Sequence, residues 1–278
     1  MSKLSLGSNK NTIIGRSSQP IGVFDSGLGG LSILKALKDK LPNERFVYYG
    51  DTAHLPYGDK SENTLKEYVS SIISFLNQQN CKLIVVACNS AATVIHRLEN
   101  LPFVDDQIIE VISPIVASVA EQKKYQRIGV IGTRKTIGSG MFDQKLSQLN
   151  PMLKIIARAT PLLAPMIEDG FVEEDVLLPI FKRYFKGFEN CELLIPACTH
   201  YPIIYNQIER YFDNGLKVLH TPKIIAKKVS QVLANQQLIN PEKNDKQDSF
   251  YLSDITDDFL REAKLFLGSD VSFSLVSL

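Results

Sequence analysis

The feature that most constrains the fold is a short strand-and-thiol pattern that the chain contains twice. Residues 83–93 read LIVVACNSAAT, and residues 193–202 read LLIPACTHYP. In each copy, five apolar residues of the kind that form a buried strand end at a cysteine, and small polar or imidazole side chains follow it. Cys88 and Cys198 therefore hold matched positions, which predicts a site built twice with one thiol facing the other.

The spacing of other landmarks indicates a duplication. Ile21 and Ile128 begin similar apolar runs 107 residues apart, and the two thiols of Cys88 and Cys198 are 110 residues apart. Because the two offsets differ by only three residues, we interpret the chain as an internal duplication of one α/β unit.

Short apolar runs alternate with helical patterns through both copies, and this alternation favours parallel sheets with helices on both faces. We therefore predict an α/β fold of two pseudo-symmetric domains with mainly parallel sheets. Ligands bind to such sheets beyond the carboxyl ends of the strands. Two similar domains that face each other would bring these ends together, so the active site is expected in the cleft between them.

The expected domain boundaries follow from the same pattern. Residues 20–113 together with 224–278 form the first predicted domain, and residues 114–223 form the second. The C-terminal strand–helix–strand pattern is too short to form a domain and is expected to pack on the first half. Residues 1–19 are polar and are expected to be a disordered tail.

Several local elements are specified closely enough to be tested. Ser61 is a predicted N-cap for the helix that follows it. A helix is expected at residues 91–98, after the first thiol strand. In the second copy, one unbroken helix is expected to run through Leu149. Residues 160–165 read TPLLAP, which predicts a loop.

Composition excludes several classes of protein. The net charge of +1, from 31 basic and 30 acidic residues, gives no electrostatic case for nucleic acid or an anionic membrane as partner. The N-terminus lacks the apolar region of a secretory signal, so a cytoplasmic protein with four reduced cysteines is expected. None of the cysteines show C-x-x-C spacing and the four histidines are not clustered, so no metal site is predicted.

Two matched thiols suit one kind of chemistry in particular. One can remove a proton from one face of a carbon while the other delivers a proton to the opposite face, which is paired general acid–base catalysis. Asp25 is a candidate to assist one thiol, and Glu168 or His200 the other. No pyridoxal or nicotinamide signature is evident, which favours a route without a cofactor.

The remaining candidate residues would hold an acidic substrate. Ser26, Asn89, Ser90 and Thr199 follow predicted strand ends and offer donors to substrate carboxylates. The glycine-rich turn at 25–30 opens a helix whose free N–H groups also favour an anion.

Four motifs together resemble the glutamate racemase family. They are Asp25-Ser26-Gly27-x-Gly29-Gly30, the YGD…PYG loop of residues 49–58, Ala-Cys-Asn at 87–89, and Cys-Thr-His-Tyr-Pro at 198–202. The resemblance implies a cofactor-independent isomerase that interconverts L- and D-glutamate and supplies D-glutamate for peptidoglycan, and hence for cell wall biogenesis and cell shape.

The resemblance also implies a role for each matching residue. The implied acid–base machinery is Cys88, Cys198, Asp25, His200 and Glu168. The first thiol would deprotonate D-glutamate and the second L-glutamate. The implied substrate-binding residues are Asp25, Ser26, Tyr57, Gly58, Asn89, Ser90, Thr199 and His200.

The chain departs from the family pattern at three places without losing a catalytic group. A serine, Ser90, stands where the family usually has threonine, and Ala197 stands where glycine is common. His220 and Thr221 replace a pair that begins with aspartate in many members, which leaves their role open.

Other functions remain open from the sequence alone. The enzyme could act on aspartate or another acidic substrate, because two thiols specify the chemistry better than the side-chain length. A two-lobed protein that binds a small anion without chemistry is an alternative from another class, and a thiol redox protein is a third. The family includes dimers, so a homodimer is the assembly to test.

Overall fold

The computed structural model describes residues 15–103, 107–122, 124–213, 215–242, 247–267 and 271–278. Residues 1–14 of the expected N-terminal tail lie outside these ranges. Residues 15–17 form a helical turn, and the carbonyl oxygen of Ser17 accepts a hydrogen bond from the buried ammonium of Lys82 at 2.5 Å.

The first sheet contains six strands within the described residues, in the order β10-β9-β2-β1-β3-β4. All of its pairings are parallel. The strands are β1 (Ile21–Asp25), β2 (Phe46–Gly50), β3 (Leu83–Val86), β4 (Ile108–Glu110), β9 (Ser249–Leu252) and β10 (Ser274–Leu275).

The second sheet contains four parallel strands within the described residues, in the order β6-β5-β7-β8. This order repeats the β2-β1-β3-β4 core of the first sheet, so the predicted duplication is present in the topology. The strands are β5 (Arg127–Gly132), β6 (Lys154–Ala159), β7 (Leu193–Ala197) and β8 (Lys217–Val218).

Helices connect the strands in both halves, as crossovers between parallel strands require. They are α1 (Gly30–Lys40), α2 (Glu62–Gln78), α3 (Asn89–Ala92), α4 (Ile112–Ala120), α5 (Arg134–Gly138), α6 (Met141–Leu149), α7 (Leu163–Glu168), α8 (Glu174–Tyr184), α9 (Tyr205–Tyr211), α10 (Thr221–Asn235) and α11 (Asp257–Leu267). None of the helices in the described ranges combines the length and apolar character that a membrane-spanning helix requires.

The predicted fold class is confirmed, and so is the return of the C-terminal segment to the first sheet. The pairing of β9 with β2 and of β10 with β9 places this segment at one edge. One buried core surrounds the first sheet and continues to one face of the second sheet, and a separate core covers the second sheet's other face. The two halves are therefore joined through shared apolar packing.

Three local predictions need correction. The helix expected at 91–98 is only the short α3 followed by a 3-10 turn at Ile95–Arg97. The helix expected to run unbroken through Leu149 is divided into α5 and α6, because Gly140 has φ +68°, which no right-handed helix accommodates. Residues 160–165 are not all loop, since α7 begins at Leu163.

The prediction that Ser61 is an N-cap is confirmed, because Ser61 Oγ accepts a hydrogen bond from the Thr64 amide at 3.2 Å.

Candidate active site

The carboxyl ends of both sheets open on one small cavity of about 50 Å³. This volume is well below the roughly 300–1,000 Å³ of sites for larger ligands. Ten of the eleven site residues predicted from the sequence line it, and the exception is Asp25, which is fully buried beside it. The ten are Cys88, Cys198, His200, Glu168, Ser26, Tyr57, Gly58, Asn89, Ser90 and Thr199.

The first thiol stands at the junction between β3 and α3. Cys88 Sγ lies 3.7 Å from the hydroxyl of Ser26, which follows the neighbouring strand β1. Burial raises the pKa of the Cys88 thiol to about 12, and the nearby negative charge of Asp25 adds to this effect. The Ala91 amide and the Ser26 hydroxyl oppose the shift without overcoming it. The raised pKa of Cys88 favours the protonated thiol at neutral pH.

Asp25 ends β1 and is close enough to the first thiol to raise its pKa. Its Oδ2 accepts hydrogen bonds from the amides of Gly27, at 3.1 Å, and Gly30, at 3.0 Å. Its Oδ1 accepts from the Thr199 hydroxyl at 3.3 Å. Burial raises the pKa of Asp25, although the charge of His200 and these three donors lower it in part. The carboxyl group is thus both a structural acceptor and a candidate proton carrier.

The second thiol has a different partner. Cys198 Sγ lies 3.6 Å from His200 Nδ1, and His200 Nε2 lies 2.8 Å from Glu168 Oε1. The carboxylate is close enough for an ion pair but lies off the N–H direction, so the contact with Glu168 is ionic rather than a well-aligned hydrogen bond. Burial by itself lowers the pKa of His200, but Cys198 and Glu168 more than offset it and hold this pKa well above the usual range.

The loop after β2 is held in place by a buried carboxylate. Asp51 Oδ2 accepts from the Tyr57 hydroxyl at 2.5 Å, and His54 Nδ1 lies 2.8 Å from Asp51 Oδ1. These contacts fix the backbone of Gly58, where a Cβ would lie only 2.8 Å from the Cβ of Thr133. A glycine is therefore needed for the loop to approach the second half of the molecule.

Two of the hydrogen bonds that cross from one half to the other involve the segments that follow the thiols. In one, the residue after the second thiol reaches the end of β1, as Thr199 donates to Asp25. In the other, Ser90 lies two residues after the first thiol and its Oγ is 2.8 Å from Thr133 Oγ1, just beyond β5. Each half thus contacts its partner through the segment that follows its own thiol.

Residue-by-residue prediction missed part of the cavity wall. Thr133, Leu55, Pro56, Ala164 and Pro165 also line it. A signal for Thr133 was available, because the 107-residue offset between β1 and β5 places it opposite Ser26 in the duplicated unit. The apolar residues carried no comparable signal, since nothing in their type distinguishes a cavity wall from a core.

The two remaining cysteines lie outside the cavity. Cys81 and Cys191 are buried free thiols that do not line the cavity. Within the described ranges, no group of three or more His, Cys, Asp or Glu side chains is arranged to hold a metal ion.

Comparison with known proteins gives consistent results. A family model described as Asp/Glu/Hydantoin racemase matches residues 31–229. A protein of Caldanaerobacter subterraneus subsp. tengcongensis named glutamate racemase 3 is 34% identical over 93% of this chain and 94% of its own. A Francisella tularensis glutamate racemase solved in complex with D-glutamate has a TM-score of 0.85 at 33% identity, covering 94% of this chain and 98% of that one. A Bacillus anthracis glutamate racemase isoform has a TM-score of 0.86 at 29% identity, over the same shares.

Proposed function

The chain belongs to the Asp/Glu/hydantoin racemase family, and we propose that it is a glutamate racemase that exchanges the α-proton of glutamate between two thiols without a cofactor. The observation that carries the proposal is the placement of Cys88 and Cys198 in one cavity, each delivered by its own sheet. Relatives named glutamate racemase that match over most of the chain support the choice of substrate.

The reaction needs a base on one face of the α-carbon and an acid on the other. With L-glutamate bound, the Cys198 thiolate takes the α-proton and the Cys88 thiol gives its proton to the opposite face, which yields D-glutamate. With D-glutamate bound, the Cys88 thiolate removes the proton and Cys198 returns one. After each turnover the two sulfurs have exchanged protonation states, so a proton must move between them before the next turnover in the same direction.

The partners of the thiols suit this exchange. The raised pKa of Cys88 favours the protonated thiol, which is the state that L-glutamate turnover requires. The raised pKa of His200 favours an imidazolium that stabilises negative charge developing on Cys198 Sγ, 3.6 Å from its Nδ1. Asp25, whose pKa is raised by burial, can take up the proton that Cys88 must lose for turnover in the other direction.

The polar groups around the thiols suit glutamate. Asn89 Oδ1 is buried, and none of the described residues donates a hydrogen bond to it, so it is available to a substrate ammonium. The hydroxyls of Ser26, Ser90, Thr133 and Thr199 supply donors to the two carboxylates, along with the amide of Gly58. Holding both carboxylates would orient the α-carbon between the sulfurs.

Isotope exchange tests the proposal. The purified protein in D₂O should place deuterium at the α-carbon of either glutamate enantiomer while it racemises the amino acid. Binding of glutamate without exchange would favour a two-lobed binding protein instead. A cycle that forms a disulfide between Cys88 and Cys198 would favour a redox protein, because the racemase needs both thiols reduced.

Aspartate is the nearest rival substrate. It differs from glutamate by one methylene, a difference that pockets distinguish by only about 1–3 kcal/mol. The relatives' names favour glutamate. Turnover of aspartate faster than glutamate, at matched concentrations, would overturn this part of the proposal.

The cellular role and assembly follow from the same proposal. Free thiols at all four cysteines suit the reducing cytoplasm, where D-glutamate would be made for peptidoglycan. A homodimer stays a prediction. Its support is a set of exposed apolar side chains on the second half, including Met152 and Phe171. Light scattering of the purified protein decides between monomer and dimer.

Closure of the two halves over substrate is part of the proposal. We divide the chain into residues 20–113 with 224–278 and residues 114–223. The cavity lies between the two sheets, and a dry site strengthens the interactions that acidify the α-carbon. Solution scattering that does not change when glutamate is added would count against closure.

A further inference from the structure

A buried tyrosine hydroxyl contacts the turn that carries Asp25 and Ser26. Tyr48 lies in the middle of β2, and its side chain is fully buried. Its hydroxyl donates a hydrogen bond to the carbonyl oxygen of Gly27 at 2.5 Å. The amide of the same glycine donates to Asp25 Oδ2 at 3.1 Å. Gly27 is thus bonded to Tyr48 through its carbonyl group and to the catalytic carboxyl through its amide.

The Tyr48 hydroxyl is also close to the acid–base groups themselves. A Cβ at Gly30 would lie 2.7 Å from this hydroxyl and 2.4 Å from Asp25 Cβ, so the two side chains approach each other where the glycine leaves space. Burial raises the pKa of Tyr48 well above its ordinary value, and the charges of Asp25 and Cys88 add to the rise. The raised pKa favours the protonated phenol, which is the form that can donate to Gly27.

The second half has no counterpart of the pair formed by Tyr48 and Asp25. The register of β1 with β2 and of β5 with β6, together with the 107-residue offset between the halves, relates Tyr48 to Ala157. The same offset relates Asp25 to Gly132. A hydroxyl needed for the fold that the halves share would be expected in both. Its occurrence only with the carboxyl indicates a role in the site.

The adjacent tyrosine provides a contrast within the same strand. Tyr49 is also fully buried, and its hydroxyl donates to the carbonyl oxygen of Val276 at 3.0 Å. Successive side chains of a strand point to opposite faces of the sheet, so this bond lies on the other side from the one made by Tyr48. The two tyrosines therefore make the same kind of hydrogen bond, one at the site and one at the edge of the sheet.

Packing does not require the Tyr48 hydroxyl. The Tyr48 ring packs on that of Phe250, with centroids 6.3 Å apart, and a phenylalanine ring would keep this contact. The hydroxyl can therefore be removed while the surrounding core is retained.

We propose that Tyr48 is a positioning residue for the first thiol, Cys88. Its hydrogen bond to Gly27 fixes the turn that places the Asp25 carboxyl and the Ser26 hydroxyl beside the sulfur. The effect on turnover rests on the proposed racemase function, whereas the effect on the turn does not. Small displacements of acid–base groups from their working geometry lower the rate steeply.

The effect falls mainly on one thiol. Cys198 has His200 as its neighbour and Glu168 beyond it, and both come from the second half. In the enzyme with both thiols, kcat/KM must change by the same factor in the two directions. A one-sided effect can therefore be measured only when each thiol works alone.

Backbone amide hydrogen exchange tests the positioning without any substrate. In Tyr48→Phe, the amides of Gly27 and Gly30 should exchange about tenfold faster or more, because the turn that holds them against Asp25 opens more readily. Tyr49→Phe is the matched control and should leave both amides as protected as in the wild type. Unchanged protection in Tyr48→Phe, or an equal loss in the control, would overturn the proposal. If Tyr48→Phe does not fold, Tyr48→Met removes the same donor with a side chain that adapts to irregular spaces.

Exchange of the glutamate α-hydrogen in D₂O tests the one-sided effect. Added to Cys198→Ala, Tyr48→Phe should slow deuteration of D-glutamate by about tenfold, in line with the loss of one hydrogen bond. Added to Cys88→Ala, it should slow deuteration of L-glutamate by about twofold at most, because groups without a direct contact act nearly independently. An equal loss in both backgrounds would indicate a general defect of the fold and contradict the positioning role. If the wild type and both thiol variants fail to exchange either enantiomer, the proposed function is wrong, and amide exchange alone decides the role of Tyr48.

Discussion

The two halves deliver their thiols in the same way but surround them differently. Both cysteines follow the third strand of a repeated unit, at the junction with a helix or turn. Cys88 has a hydroxyl, Ser26, at 3.7 Å and a buried carboxyl group nearby. Cys198 has an imidazole, His200, at 3.6 Å, which itself contacts Glu168. The backbone is duplicated, whereas the acid–base environment is not.

This difference shows what duplication can and cannot supply. Two mirror-image proton transfers need two equivalent sulfur positions, and repeated topology provides them. The substrate is not symmetric, since the α-carbon carries an ammonium, a carboxylate and a side chain. Different neighbours at the two thiols are therefore expected around a common reaction axis.

Values of kcat/KM alone cannot reveal the asymmetry, although kcat and KM taken separately can differ between the two directions. The equilibrium constant between enantiomers is one, so kcat/KM must be equal in the two directions for every variant. A substitution in either half-site should lower both values by the same factor. The asymmetry must be sought in isotope exchange and in the separate kcat and KM values of the two directions.

The largest effect is expected from removing either sulfur. Cys88→Ala and Cys198→Ala should each lower racemisation by about 10³-fold or more, at the upper end of what general acid–base groups contribute. The double variant should be little worse, because either loss alone interrupts the same transfer. Racemisation is followed by optical rotation. Near-normal activity in either single variant would contradict the two-base scheme, because one thiol would then be sufficient for racemisation.

The two thiol variants should also differ in which enantiomer of glutamate exchanges its α-hydrogen with solvent. With Cys88→Ala, the remaining thiol should catalyse slow α-deuteration of L-glutamate without inversion, and D-glutamate should not exchange. Cys198→Ala should show the reverse preference. Proton NMR of each recovered enantiomer measures this. Exchange of the same enantiomer by both variants would contradict the assignment of one face to each sulfur.

The assisting groups should give the next largest effect. His200→Asn and Asp25→Asn are each expected to lower kcat by about 10²-fold, because each removes a proton-handling group beside one thiol. Glu168→Gln should cost less, since this carboxylate is partly exposed and contacts His200 rather than sulfur. A larger loss from Glu168→Gln than from His200→Asn would show that the carboxylate is the more direct participant.

Adding a methyl group at Gly29, where the two halves approach closely, should lower activity by a smaller factor. A Cβ at Gly29 would lie 2.3 Å from Thr199 Oγ1 and 2.8 Å from His200 Nδ1. Gly29→Ala should therefore raise KM and lower kcat/KM by about tenfold, which corresponds to about 1.4 kcal/mol. Gly138→Ala is the matched control, since a Cβ there meets nothing within 4 Å. Equal kinetics for the two variants would show that closure does not depend on this contact.

The last effect concerns stability in alkaline solution rather than activity. The Cys88 pKa is raised from its ordinary 9.0 to about 12, so the folded state resists ionisation of this thiol more than the unfolded chain does. Its contribution to stability is therefore complete below about pH 9 and is lost as pH rises toward 12, by about 1.4 kcal/mol per pH unit. Cys88→Ala should flatten the fall in unfolding free energy between these limits. The unfolding free energy is measured by urea titration at several pH values. If it falls equally steeply with pH in the variant and the wild type, the account of a buried, protonated thiol is contradicted.

Much of the framework could be predicted from the sequence because its signals are local and repeated. Short apolar runs identified the strands, and the offsets between the halves identified the duplication. The polar residues after each strand indicated which end of the sheets would carry the site. These inferences need only the periodicity of side chains and the geometry of parallel sheets.

The rest depends on packing between distant segments. The helix α7 was missed because prolines at 161 and 165 suggest a loop, although proline is tolerated in the first turn of a helix, where amides lack intrahelical partners. The contact between Ser90 and Thr133 joins residues from different halves, and no spacing rule predicts it. The close approach at Gly29 and Gly58 likewise emerges only when both halves are assembled.

The most direct test of two opposed thiols is the isotope content of substrate and product early in a reaction in D₂O. L-Glutamate with hydrogen at the α-carbon is incubated with the enzyme, and both enantiomers are recovered before a tenth of the substrate has reacted. The same experiment is then run from D-glutamate. The account predicts that the product carries deuterium while the remaining substrate keeps its hydrogen, in both directions. A product that retains the substrate's own hydrogen would contradict it, because a single base would then serve both faces.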